Sequence, residues 1–216
     1  LGYTKGFKTE TTKKKRGDKS HFFSRYTKNF ESKKSESYFK LNVENVSDDK
    51  YLKLYKLKSD LVDYEKTSLQ NEIDFTYDND NFLLGLNASV FQTLKENYND
   101  KYEYILPEII IDKNIFNNQL LGSLDLSTNF KSHKYNTNTT ENFLVSDLNW
   151  NSIDINTKYG LKNKFLSSLR NINYEVKNFK NETQNYDIYK KDTTSEIHGA
   201  LGFKSEISLK RKRTTS

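Results

Sequence analysis

Leu69-Gln70-Asn71-Glu72-Ile73-Asp74-Phe75-Thr76-Tyr77 is the stretch that decides the fold class. Leu69, Ile73, Phe75 and Tyr77 fall on one side of a two-residue repeat, and Gln70, Glu72, Asp74 and Thr76 on the other. Successive side chains of an extended strand point to opposite faces, so this spacing predicts a strand with one apolar and one polar face. Asp78-Asn79-Asp80-Asn81 follows, a cluster of residue types that favour turns because their side chains bond the local backbone. The repeat then resumes: Phe82, Leu84, Leu86, Ala88 and Val90 alternate with Gly85, Asn87 and Ser89.

The same pattern extends in both directions. Upstream, Phe22, Ser24, Tyr26 and Phe30 oppose His21, Arg25 and Asn29, and Phe39, Leu41 and Val43 alternate with Lys40, Asn42 and Glu44. Downstream, Leu120, Leu124, Leu126 and Phe130 oppose Ser123, Asp125, Ser127 and Asn129. Near the end, Ile197, Leu201, Phe203, Ile207 and Leu209 face away from His198, Lys204, Glu206 and Lys210. Tyr159, Leu161, Phe165 and Leu169 also fit one strand face. No stretch carries a convincing helical stripe. About ten runs of roughly 8–12 residues are expected, longer than the usual globular strand and close to a tilted membrane-spanning one.

Composition fits that reading. Only 34% of the 216 residues are hydrophobic, yet 15 Tyr and 14 Phe are present, residue types in which disordered chains are depleted. No run of eighteen or so apolar residues occurs, so no transmembrane helix is expected. The absence of cysteine excludes disulfides, thiolate catalysis and Cys-ligated zinc within the chain. The net charge of +6 comes from mixed acidic and basic residues, the usual state of a solvated surface. The opening Leu1-Gly2-Tyr3 resembles neither a start methionine nor a signal peptide, and the chain reads as an internal piece of a longer protein.

Alternation alone fits a soluble sandwich, whose apolar face meets a second sheet, and a barrel, whose apolar face meets lipid. Long strands, charged polar faces and aromatics near strand ends (Tyr38, Tyr51, Tyr77, Phe82, Tyr102, Phe130, Trp150) favour the barrel. The expected fold is an all-β, antiparallel up-and-down meander forming part of a large transmembrane outer-membrane barrel. Residues 1–216 are expected to form one segment of it, with 1–16 and 211–216 as loop or ragged edge.

Three stretches resemble the barrel of the LptD family, the lipopolysaccharide-assembly proteins of the outer membrane. They are Gly17-Asp18-Lys19-Ser20-His21-Phe22-Phe23, Asp100-Lys101-Tyr102-Glu103-Tyr104-Ile105-Leu106-Pro107-Glu108-Ile109-Ile110-Ile111, and Leu124-Asp125-Leu126-Ser127-Thr128-Asn129-Phe130. Their order carries the resemblance, which runs from about Gly17 to Lys210. The chain departs from the family pattern near its end, where Ile207 is followed by Ser208, Leu209, Lys210 and Arg211. The family's periplasmic domain and cysteines lie outside this segment, and the strands of its lateral gate are expected to as well. The resemblance implies an outer-membrane location, lipopolysaccharide as cargo, a lipoprotein plug (LptE-like) and a periplasmic bridge (LptA-like).

Competing chemistry is weak. His21, His133 and His198 are isolated, and no metal-ligand spacing occurs. Glu72 and Asp74 share a strand face, where polar lining is a simpler reading than acid–base catalysis. Lys13-Lys14-Lys15-Arg16 and Lys210-Arg211-Lys212-Arg213 read as loop charge, since stacking aromatics do not interleave them. Pro107 cannot donate to a ladder and marks a bulge or a locally weakened pairing. No enzyme, cofactor, metal or nucleic-acid partner is expected. The expected function is insertion of lipopolysaccharide into the outer leaflet, with Gln70, Glu72, Asp74, Asn87, Ser123, Asp125, Asn129 and Lys204 facing the lumen. Another outer-membrane barrel (a porin or receptor), or a soluble or surface β-rich binding protein, remains open at this point.

Overall fold

The computed structural model describes residues 1–5, 17–95, 101–135, 139–177 and 193–207. Strand β1 (Gly2–Thr4) precedes β2 (Lys19–Ser32) and β3 (Ser35–Val46). A short helix, α1 (Tyr51–Tyr55), lies before β4 (Ser68–Asn79), β5 (Phe82–Thr93), β6 (Tyr102–Asn118) and β7 (Gly122–Lys134). After them come β8 (Thr140–Asn151), β9 (Ile155–Asn156), β10 (Leu161–Lys177) and β11 (Thr194–Ile207). All belong to one antiparallel, 11-stranded sheet whose neighbours are neighbours in sequence, save that the short β9 pairs beside β10. Among the described residues the sheet is open. β11 pairs only with β10, and β1 covers only the first rungs of β2.

The connections differ between the two ends. Lys33–Lys34, Asp80–Asn81 and 119–121 make tight turns at one rim, which also carries the longer connection 152–160 with β9. Gly122 ends the third of these at φ +83, and a Cβ there would lie 1.9 Å from the Asn151 carbonyl oxygen, so only glycine fits. At the opposite rim the connections 47–67, 94–101 and 178–193 are long.

Leu120 and Leu121 occupy a turn, so the strand expected to begin at Leu120 begins at Gly122. Gly2–Thr4, expected as loop, pairs with Lys19–His21. Leu209 and the basic runs 13–16 and 210–213 lie outside the described residues. Two ladders shift register around Leu106-Pro107, between Asn87 and Ser89 on one side and between Ile105 and Glu108 on the other. β6 therefore bulges where the ring removes a donor.

Buried hydrophobic side chains are few and gather almost entirely at the long-loop rim. Phe23, Val46, Tyr51, Leu52, Val62, Leu69 and Leu94 form one cluster there, with Leu57, Leu61 and Tyr64 against it. This cluster fills a fork in the wall. β3 and β4 pair from Ser35–Asn79 to Asn42–Glu72 and then part. Side chains replace the missing rungs: Asn42 Nδ2 donates to Gln70 O (2.7 Å), Gln70 N to Glu44 Oε2 (3.0 Å), and Glu44 N to Asn71 Oδ1 (2.9 Å). Glu44 is 4% exposed and holds Lys66 Nζ at 2.6 Å. The helix has no side-chain N-cap; burial of Tyr51 and Leu52 holds it instead.

Candidate functional site

Paired residues in an antiparallel ladder share a face, so the register assigns every strand side chain to one side of the wall. One side carries Gln70, Glu72 and Asp74 on β4, Asn87 on β5, Ser123, Asp125 and Asn129 on β7, and Lys204 on β11. The rungs that connect them run Asp74–Asn87–Glu108–Lys131 and Asn114–Asp125–Asn149, among others.

Within that polar face the residues fall into groups. Glu72, Asp74 and Asn87 meet directly, because Asn87 Nδ2 donates to Glu72 Oε1 (3.2 Å) and to Asp74 Oδ2 (3.3 Å). Lys40 Nζ stands 2.5 Å from Glu72 Oε2, and Ser89 Oγ donates to Asn87 Oδ1. Gln70 sits at the fork through its backbone. Asp125 accepts from Asn114 Nδ2 at 2.5 Å, on a separate strip. Lys204 is far across the sheet and pairs with Glu206.

Asp112, Asp147 and Arg170, not named from the sequence, belong to the same face, as do Lys40, Asn42 and Glu44, which the alternation placed there without marking them as lumen-facing. The Arg170 guanidinium grips the Asp147 carboxylate with two bonds of 2.6 and 2.8 Å. A polar residue on every second position was the available signal, and it does not rank one position above another. His21, His133 and His198 sit on this face on different strands; His133 Nε2 lies 2.6 Å from Glu103 Oε1. Among the described residues no group of three or more His, Asp or Glu side chains has metal-binding geometry.

The other face is apolar and uncovered. Tyr26, Ile73, Leu86, Phe165 and Leu201 lie on it, all exposed, Leu201 by 90%. No second sheet packs against it among the described residues. Tyr77, Phe82, Trp150, Phe165 and Phe203 mark its tight-turn side, with Tyr77–Phe82 and Phe165–Phe203 ring centroids 6.2 and 5.2 Å apart. Tyr38 and Tyr51, also expected among these aromatics, belong elsewhere: Tyr38 is on the polar face and Tyr51 is in α1.

This apolar band crosses the rungs obliquely. On β5 it centres on Leu86, whose rung leads through Ile109, Phe130 and Leu144 to Asn173 on β10. The apolar residues of β10 on that face are instead Leu161, Phe165 and Leu169, nearer the tight-turn rim. Strands tilted by about 35–45° in a flat bilayer require such an offset. No helix among the described residues is long and apolar enough to cross a membrane, which leaves strands untouched.

No curated protein matches the chain. A family model does: LptD, LPS transport system D, matches residues 19–216. That family serves lipopolysaccharide transport and outer-membrane assembly. With an all-β antiparallel wall polar on one side and apolar on the other, and a family match over nearly its whole length, this chain belongs to the LptD family.

Proposed function

We propose that this chain forms part of the wall of an outer-membrane translocon that inserts lipopolysaccharide into the outer leaflet. The observation that carries the reading is the uncovered apolar face. A soluble sandwich would bury those side chains against a second layer, whereas lipid satisfies them at no hydration cost. The polar face then lines the lumen, with Gln70, Glu72, Asp74, Asn87, Ser123, Asp125, Asn129 and Lys204 in contact with the aqueous path. Short turns in outer-membrane barrels face the periplasm and long loops the exterior, which puts α1 and the 47–67 loop outside.

The proposed mechanism is passage without covalent chemistry. Sugar groups of the cargo find hydrogen-bonding partners on the polar face that hydrocarbon cannot supply. Asp74, Asp78, Asp112 and Asp125 add acceptors for sugar hydroxyls and repel phosphates. A lining that binds weakly at many points favours throughput, as in other membrane pores. The acyl chains leave through a seam whose strands lie beyond this segment. A lipoprotein seated in the lumen (LptE-like) and a periplasmic bridge (LptA-like) are the proposed partners. Pro107 is the proposed weak point of the β5–β6 and β6–β7 ladders.

Photo-crosslinking during transport tests this reading in the full-length protein. A photoreactive side chain at Asp74, Asn87 or Asn129 is expected to capture lipopolysaccharide in transit; one at Phe75 or Leu86 is expected to capture bulk phospholipid. Capture of transported cargo from the outward positions alone would overturn the face assignment.

A further inference from the structure

Both faces of the wall change polarity along β8 and β10, the outward one between Leu169 and Asn171 on β10 and between Leu144 and Asn142 on β8. Below that change the outward side chains form an apolar row, Leu126–Leu148–Leu169, and the inward ones include Asp147 and Arg170. Above it the inward side chains are Phe143, Val145, Ile172, Tyr174 and Val176, while the outward Asn171, Asn173 and Glu175 of β10 and Asn142 of β8 are polar, with Phe130 and Leu144 still apolar beside Asn173. The outward polar groups are joined across three strands. Ser132 Oγ donates to Asn142 Oδ1 (2.7 Å), Asn142 Nδ2 donates to Glu175 Oε2 (3.0 Å), and Lys177 Nζ lies 3.0 Å from the same oxygen. Asn171 and Asn173 are bonded to each other one step lower. Lys134 and Lys177 share a rung with Thr140 between them, which sets them about 10 Å apart.

An outward polar patch is costly inside hydrocarbon, so the bilayer boundary runs obliquely, between Leu169 and Asn171 on β10 and between Leu144 and Asn142 on β8. β10 continues to Lys177, which carries this wall well past the boundary at the long-loop rim. Resting on the barrel reading above, we propose that this outward patch is a docking surface for the sugar-phosphate headgroup of a saccharolipid in the outer leaflet. Continuity decides the occupant. A lipid whose acyl chains lie against Leu148, Leu169 and Phe165 places its headgroup directly on Asn142, Asn171 and Asn173. Amides bond sugar hydroxyls as donor and acceptor, and Lys134 and Lys177 supply the charge for phosphate.

The test uses the full-length protein with its partner lipoprotein, reconstituted in phosphatidylethanolamine–phosphatidylglycerol vesicles with or without lipopolysaccharide. Fluorescent labels at Phe165 and Asn173 first report depth by quenching from brominated acyl chains. Strong quenching at Phe165 and none at Asn173 is expected; no quenching at Phe165 would overturn the barrel reading itself. Lipid retained after detergent extraction is then measured for the parent, for Lys134→Ala/Lys177→Ala and for Asn142→Ala/Asn173→Ala, each checked for folding by heat-modifiable mobility. Each pair is expected to lower lipopolysaccharide retention about tenfold, two exposed polar contacts acting together, while phosphatidylglycerol retention stays unchanged. Unchanged lipopolysaccharide retention, or equal loss of both lipids, with Phe165 still quenched, would overturn the docking surface and leave the barrel standing.

Discussion

Glu44 is the residue whose surroundings most constrain it. Its carboxylate accepts from Gln70 N and holds Lys66, at the point where β3 and β4 separate. Glu44→Ala leaves a buried N–H and an ammonium without their acceptor, a loss of about 1–3 kcal/mol. Hydrogen exchange in 47–67 of the folded barrel is expected to rise, with exchange in β5–β7 unchanged. Leu52, 1% exposed, is the companion case: Leu52→Ala opens a cavity in the loop cluster and costs about 2–5 kcal/mol by the same measurement. Asp74→Leu and Asp125→Leu stand at the opposite extreme. Both residues are partly open on the polar face, so assembly of the full-length barrel, read by heat-modifiable mobility, is expected to survive either change. The alternation separated Asp74 from Phe75 in the sequence. It gave no sign that Glu44 is buried, because that depends on a loop folding back across a fork.

At the scale of elements, β4, β5 and β11 were legible because hydrophobic and polar residues alternate along most of their length. β8 was not, since Phe143, Leu144 and Val145 are apolar in succession and the period disappears where the inward face turns apolar while Leu144 is still apolar outside. α1 was missed for a different reason: five residues cannot show a helical stripe, and tertiary burial rather than propensity holds them. The loop containing α1 is strapped across the rim by Lys19–Asp48 and Lys101–Asp49 ion pairs. Hydrogen bonding from Lys19 holds the Asp48 carboxyl below its ordinary value of 3.8. Its stabilisation is therefore complete above that value and is lost as pH falls through the lower folded value. Hydrogen bonding to Asp49 raises the Lys101 ammonium above 10.5, so its contribution is full below 10.5 and fades as pH rises beyond. Exchange protection of the 47–67 loop is expected to stay flat between about pH 5 and 9. Progressive loss below pH 3.8 is expected, and a transition near neutrality would show that other groups control the strap.

Among the described residues the molecule as a whole is a sheet with two incompatible faces and two open edges. β11 exposes one edge along Thr194–Ile207, and most of β2 exposes the other. Expressed alone in water, residues 1–216 are expected to aggregate through these edges and the apolar face, and to be dispersed by detergent. Static light scattering with and without detergent reads this directly; a monodisperse monomer in water would argue for a soluble fold. Strand content and face polarity were readable at this scale from period two alone. The proposed bilayer boundary was not, because it rests on the register of the ladder pairings. In the proposed barrel wall one face meets lipid and the other water. Cysteine scanning from Glu72 to Tyr77 in the full-length protein, within intact outer membranes, reads this partition residue by residue. Labelling by a water-soluble maleimide is expected to alternate, with Glu72, Asp74 and Thr76 positions reactive and Ile73, Phe75 and Tyr77 positions protected. Uniform labelling, or alternation in the opposite phase, would contradict it.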